Sequence, residues 1–136
     1  MSKPKTTVKK WSTGAKRDNL EGKGRFDLLS SIALYRLALV AEYGGKHYGD
    51  HNWEKGMPLS NLLNHAIRHI YLYIGGDRTQ DHLAKAMWGL HAAIHTEHSI
   101  KNGLLPTDLD DIGSNTESMS AFLANLPQED QYIGGA

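Results

Sequence analysis

The chain has 136 residues, 15 Lys/Arg against 15 Asp/Glu, and no cysteine, which excludes disulfides and thiolate metal sites. No stretch approaches the roughly 18 apolar residues of a membrane span, and no signal-peptide pattern opens the sequence. The expectation is one cytoplasmic domain with a modest core and no membrane association.

The zero net charge hides a split. Residues 1–25 carry Lys3, Lys5, Lys9, Lys10, Lys16, Arg17, Lys23 and Arg25 against Asp18 and Glu21, a net of +6, which leaves −6 for the remainder. Residues 1–22 read as a basic, poorly ordered arm, and through this arm alone a nucleic-acid contact is open.

Asp27 can cap a first helix from about Leu28 to Tyr43, stopped by Gly44-Gly45. Leu28, Leu29, Ile32, Leu34, Leu37, Leu39 and Val40 make it apolar nearly all round, the pattern of a central, buried helix. The next ten residues, Gly44 to Trp53, hold a cation, histidines, aromatics and glycines, and read as a connection on which function is mounted. A second helix spans about Leu59 to Ile74, between Pro58 and Gly75-Gly76, with Leu59, Leu63, Ala66, Ile67, Ile70 and Ile74 as its apolar face. A third runs from about Gln80 to Ser99, with Thr79 as its cap and Asn102-Gly103 as its stop.

On that third helix His82, Ala86, Gly89 and Ala93 form a small-residue stripe that another helix can approach closely. Residues 104–112 read as an acidic loop, Ser114 to Leu126 as a short fourth helix, and Pro127 to Ala136 as a tail. The fold class is therefore all-α: three main helices in a small bundle over residues 23–103, with an acidic extension over 104–136. Its apolar surface, including Tyr71, Tyr73 and Trp88, predicts completion by a homodimer or higher homo-oligomer.

Eight histidines are many for this length. His65 and His69 lie four apart with Arg68 beside them, an arrangement suited to anions. His91, His95 and His98 share one face and read as surface or interface groups. Glu42, Asp77 and Asp81 suffice in number for a Mg²⁺ site, which needs only one or two carboxylates plus substrate oxygens and water. Capping is the competing role for Asp77 and Asp81. The phosphate-loop, dinucleotide-binding and nucleophile-elbow motifs are absent.

The segments Gly-Lys-Gly-Arg-Phe-Asp-Leu-Leu (22–29), Gly-Gly-Lys-His-Tyr-Gly-Asp-His-Asn-Trp-Glu-Lys-Gly (44–56), Arg68-His69 and Gly-Asp-Arg-Thr-Gln-Asp-His-Leu-Ala (76–84) occur together in this order. The set resembles the phage and prokaryotic dATP/dGTP diphosphohydrolase family, similar to the all-α MazG-like nucleotide pyrophosphohydrolases. The resemblance implies Mg²⁺-dependent (or Mn²⁺-dependent) hydrolysis of a purine deoxynucleoside triphosphate to monophosphate and pyrophosphate, as nucleotide-pool control. Lys46, Tyr48, Asn52 and Trp53 match the family's loop, Arg68 and His69 its Arg-His pair, and Asp77 and His82 its next turn. The chemistry we assign to these positions is Lys46 and Arg68 on phosphate oxygens and Trp53 or Tyr48 against the base, with Asn52 also on the substrate and Glu42, Asp77 and Asp81 as candidate metal ligands. His69 or His82 would orient water. The chain departs from the family where Lys85 and Gly89 replace a His and an Asn, and it lacks the paired acidic motifs of MazG helices. A non-catalytic protein that sequesters a nucleotide signal is the alternative.

Overall fold

The computed structural model describes residues 7–113 and 118–127, which divide into two compact units at Tyr35/Arg36. In the first, β1 (Val8–Lys10) and β2 (Lys16–Asp18) form an antiparallel hairpin, in the arm expected to be poorly ordered. A 3₁₀ turn follows at Phe26–Leu28. Residues 1–6 of that arm lie outside the described residues.

The architecture is all-α, with three main helices and a short C-terminal one. Helix α1 (Ser31–Tyr48) begins in the first unit and continues into the second. It starts later and ends later than its sequence predicts. Ser30, not Asp27, caps it, its hydroxyl accepting the Ala33 N–H at 3.1 Å, while Asp27 pairs with Arg25 at 2.8 Å. Gly44 and Gly45 do not stop it. A Cβ at Gly45 would lie 2.9 Å from Asp50 Oδ1, so this glycine admits the returning chain. The stop is Gly49, at φ +97°, a left-handed conformation that side chains disfavour.

Helix α2 (Leu59–Ile74) occupies the predicted span, Pro58 before it and Gly75 after it. Pro58 offers no capping side chain, and Asp111 supplies the missing acceptor from far along the chain. It takes the Ser60 N–H at 2.9 Å and the Ser60 hydroxyl at 2.5 Å. Helix α3 (His82–Lys101) is capped by Asp81, not Thr79, through the Ala84 N–H at 3.2 Å. Helix α4 (Met119–Ala124) is capped by Ser118 and is shorter than the predicted Ser114–Leu126, whose residues 114–117 lie outside the described ones. Of the predicted tail, residues 128–136 also lie outside them.

Helices α2 and α3 pack on each other along the small-residue stripe: His82, Ala86, Gly89 and Ala93 are all buried. The approach is close at Gly89, where a Cβ would lie 3.1 Å from both Ala66 Cβ and the Leu62 carbonyl oxygen. The partner of the stripe is thus α2 of the same chain. Leu59, Leu62, Ala92 and Ala93 form the core, with Trp53, Met57, Leu63 and Ile100 against it. The buried set on α2 is narrower than predicted, since Ile67, Ile70 and Ile74 are exposed.

The prediction of a central, buried α1 is overturned: no residue of α1 is buried. An all-round apolar helix needs neighbours on every side, and α2 and α3 are committed to one another. Ile32, Leu34, Tyr35, Leu39 and Tyr43 remain exposed. Among the described residues no helix is long and apolar enough to cross a membrane.

Candidate functional site

Three helical stripes and one turn enclose a solvent-open cavity of about 480 Å³, within the usual range for small-molecule sites. Val40, Tyr43, Gly44 and Tyr48 line it from α1, at the three- and four-residue spacings that place side chains on one helix face. Asn61, Leu62, His65 and His69 do so from α2, and Lys85, Trp88 and Gly89 from α3. The 3₁₀ turn Asn52–Lys55 contributes Asn52 and Trp53. Aromatic faces, two amides, two imidazoles and one lysine therefore meet in one concavity.

Trp53 is half-buried and stands edge-on to Trp88 at 5.4 Å between ring centroids. His91 and His95 flank it at 5.0 and 4.9 Å, so these histidines support an aromatic cluster. Burial pushes the His91 imidazolium down, with His95 adding to the effect.

His69 has a specific partner. Its Nδ1 lies 2.9 Å from His82 Nδ1. The His82 side chain is fully buried, and its other nitrogen, Nε2, lies 3.4 Å from Asp77 Oδ2 with no closer partner. Asp77 is anionic: the hydroxyl and N–H of Thr79, at 2.6 and 2.8 Å, hold its carboxyl at about 2, and His82 acts in the same direction. A carboxylate only accepts, so the His82 tautomer that serves Asp77 carries its proton on Nε2 and leaves Nδ1 bare. His69 Nδ1 must then donate to it. The remaining nitrogen of His69, Nε2, is left as a free acceptor on a ring that lines the cavity. Desolvation first, then the neighbouring His82, Lys85, Arg68 and His65, lowers the pKa of His69.

The sequence-predicted site is only partly assembled. Tyr48, Asn52, Trp53 and His69 line the cavity, and His82 stands behind His69. Lys46 is exposed in the last turn of α1, where its charge complements the helix dipole, and does not line the cavity. Arg68 faces a different depression, beside Asn64, Ile67, Tyr71 and Leu72. The cation that lines the cavity is Lys85, its Nζ 2.5 Å from Gln80 Oε1. Tyr43, Asn61, His65 and Trp88 were likewise not picked out for the site. The signal for His65 and His69 was their four-residue spacing; nothing local in the sequence marked Lys85.

The three candidate magnesium ligands have separate surroundings. Asp81 takes the Arg36 guanidinium on both oxygens, at 2.7 and 2.5 Å, besides capping α3. The Arg36 hydrogen bond first, with the Ala84 N–H behind it, lowers its pKa against the opposing effect of burial. Asp77 is occupied by Thr79 and His82. Glu42 is exposed on α1 and does not line the cavity. Among the described residues no three His, Asp or Glu side chains converge on a point that could hold a metal.

The family model described as "dATP/dGTP diphosphohydrolase, N-terminal" matches residues 13–103, a span that contains the cavity and the Asp77, His82 and His69 chain. No curated protein and no solved structure gives a significant match.

Proposed function

Because the chain belongs to the dATP/dGTP diphosphohydrolase N-terminal family, we propose that its cavity takes a purine deoxynucleoside triphosphate and hydrolyses it to monophosphate and pyrophosphate. The observation that carries this reading is the pair of imidazoles 2.9 Å apart, which leaves His69 Nε2 as a neutral base beside Lys85 and the aromatic wall. The purine stacks on Trp53 or Tyr48, with Asn52 and Asn61 available to its polar edge, and Lys85 holds the phosphates. His69 Nε2 accepts a proton from water. The resulting hydroxide attacks the α-phosphorus, the bond from that phosphorus to the bridging oxygen of the β-phosphate breaks, and pyrophosphate leaves. General-base action of this kind is worth about 10²–10⁴ in rate. No step is assigned to magnesium, because Asp77 and Asp81 are engaged by Thr79, His82 and Arg36, and Glu42 does not line the cavity.

A second copy of the chain belongs to the same proposal. Ile67, Ile70, Tyr71 and Ile74 on α2, and Ile94 on α3, are exposed apolar groups of the kind an obligate interface covers.

The test is incubation of the purified protein with each common nucleoside triphosphate and Mg²⁺, with products resolved by anion exchange. Monophosphate and pyrophosphate from dATP or dGTP are expected. Intact nucleotides throughout would overturn hydrolysis. The second reading, a protein that binds a nucleotide without turnover, is favoured by the lack of converging carboxylates among the described residues and would then be measured by calorimetry.

A further inference from the structure

The hairpin of β1 and β2 is built against its own stability. Its register places Lys9 opposite Arg17 and Lys10 opposite Lys16, and like charges directly across a strand pair repel. All its strand residues are exposed, and a lone two-stranded hairpin is at best marginally stable in water.

The two faces of the hairpin differ. Strand alternation places Lys9 and Arg17 on one face and Lys10 and Lys16 on the other. On the first face a depression of about 370 Å³ is lined by Lys9, Trp11, Arg17 and Lys23, with Asp18 as its one carboxylate. Lys9 Nζ lies 5.8 Å from the Trp11 ring centroid, and Trp11 is 44% exposed. The ring is held at the head of the turn by its own backbone, its N–H donating to the Ala15 carbonyl at 3.0 Å and its carbonyl accepting from Gly14 at 2.9 Å.

We infer that this face binds a single-stranded polynucleotide, with a base stacked on Trp11 and phosphates on Lys9, Arg17 and Lys23. Bound phosphate removes the repulsion between Lys9 and Arg17, so binding and hairpin order reinforce one another. A free aromatic face selects an unstacked base, whereas a duplex keeps its bases stacked on each other. The site shares no residue with the nucleotide cavity and does not rest on the hydrolase reading.

The experiment is fluorescence anisotropy of a labelled oligothymidylate against the full chain, over a range of salt, with K9E, K10E and W11A. Three phosphate contacts predict a log–log salt slope of about −2. K9E and W11A should each weaken binding at least about tenfold, the scale of one lost stacking or charged contact. K10E, the same charge change on the other face, should cost less than about threefold, as a long-range charge effect alone. K9E sets a carboxylate opposite Arg17 and so strengthens the hairpin, which means that its loss of binding cannot come from unfolding. Absence of binding at low salt, equal losses for K9E and K10E, no effect of W11A, or equally tight binding of a duplex would each overturn the inference.

Discussion

His69 and His82 face each other through their Nδ1 atoms, 2.9 Å apart, so a single proton lies between two imidazoles. Which ring owns it depends on Asp77 behind His82. An Asp77→Asn side chain can donate where the carboxylate only accepts. It would reverse both tautomers and leave His69 Nε2 protonated. If hydrolysis uses that nitrogen as a base, D77N lowers kcat by about 10²-fold or more while KM changes little. Nitrogen-15 shifts of the two rings report the tautomers directly, and unchanged shifts would refute the relay.

The pH profile follows from the sign of the His69 shift. The base is active when neutral, and its pKa lies below 6.5. The midpoint of the acid limb of kcat/KM should therefore lie below pH 6.5. Stability follows a different group. Asp77 sits at about 2 in the folded chain against 3.8 for a free aspartate, so its contribution is present above pH 3.8 and is lost as pH falls from there toward 2. Acid unfolding of D77N should lack that component.

Lys85 and Arg68 separate the cavity from the sequence-predicted phosphate site. Lys85→Ala should raise KM for the triphosphate about 10- to 100-fold, the worth of one charged hydrogen bond. Arg68→Ala, removing a cation outside the cavity, should change KM less than about twofold, allowing only for screened charge at a distance. The reverse order would return the phosphate to Arg68.

Arg36 grips both oxygens of Asp81, which also caps α3. Asp81→Asn retains a capping oxygen and loses the ion pair, which is partly exposed on both sides, so the cost should be about 1 kcal/mol or less. Thermal unfolding measures this. A metal ligand would behave otherwise: D81N would then abolish activity at unchanged stability.

Gly89→Ala sets two effects against each other. Alanine gains about 1 kcal/mol of helix propensity over glycine, but its Cβ meets Ala66 Cβ and the Leu62 carbonyl at 3.1 Å. Overpacking against groups fixed in α2 costs about 1–3 kcal/mol, so the net change is destabilising, by up to about 2 kcal/mol in denaturant titration.

Local chemistry determined what the sequence could show on its own. The all-α class follows from apolar periodicity, and the bounds of α2 follow from Pro58 and Gly75, because a missing N–H or a permissive glycine acts on the backbone whatever surrounds it. The hairpin was passed over because its charged strands carry no apolar alternation. Tertiary structure decided the rest. Gly45 sits inside a helix because Asp50 returns against it, Asp111 caps a helix far from it in sequence, and α2 fills the stripe around Gly89. The cavity has the same origin: Tyr43, His65 and Lys85 come from three helices whose mutual packing no local pattern records. Carboxylate roles were the least legible, because Asp77 and Asp81 have the same chemistry as metal ligands or as hydrogen-bond acceptors, and only their folded neighbours Thr79, His82 and Arg36 distinguish the two.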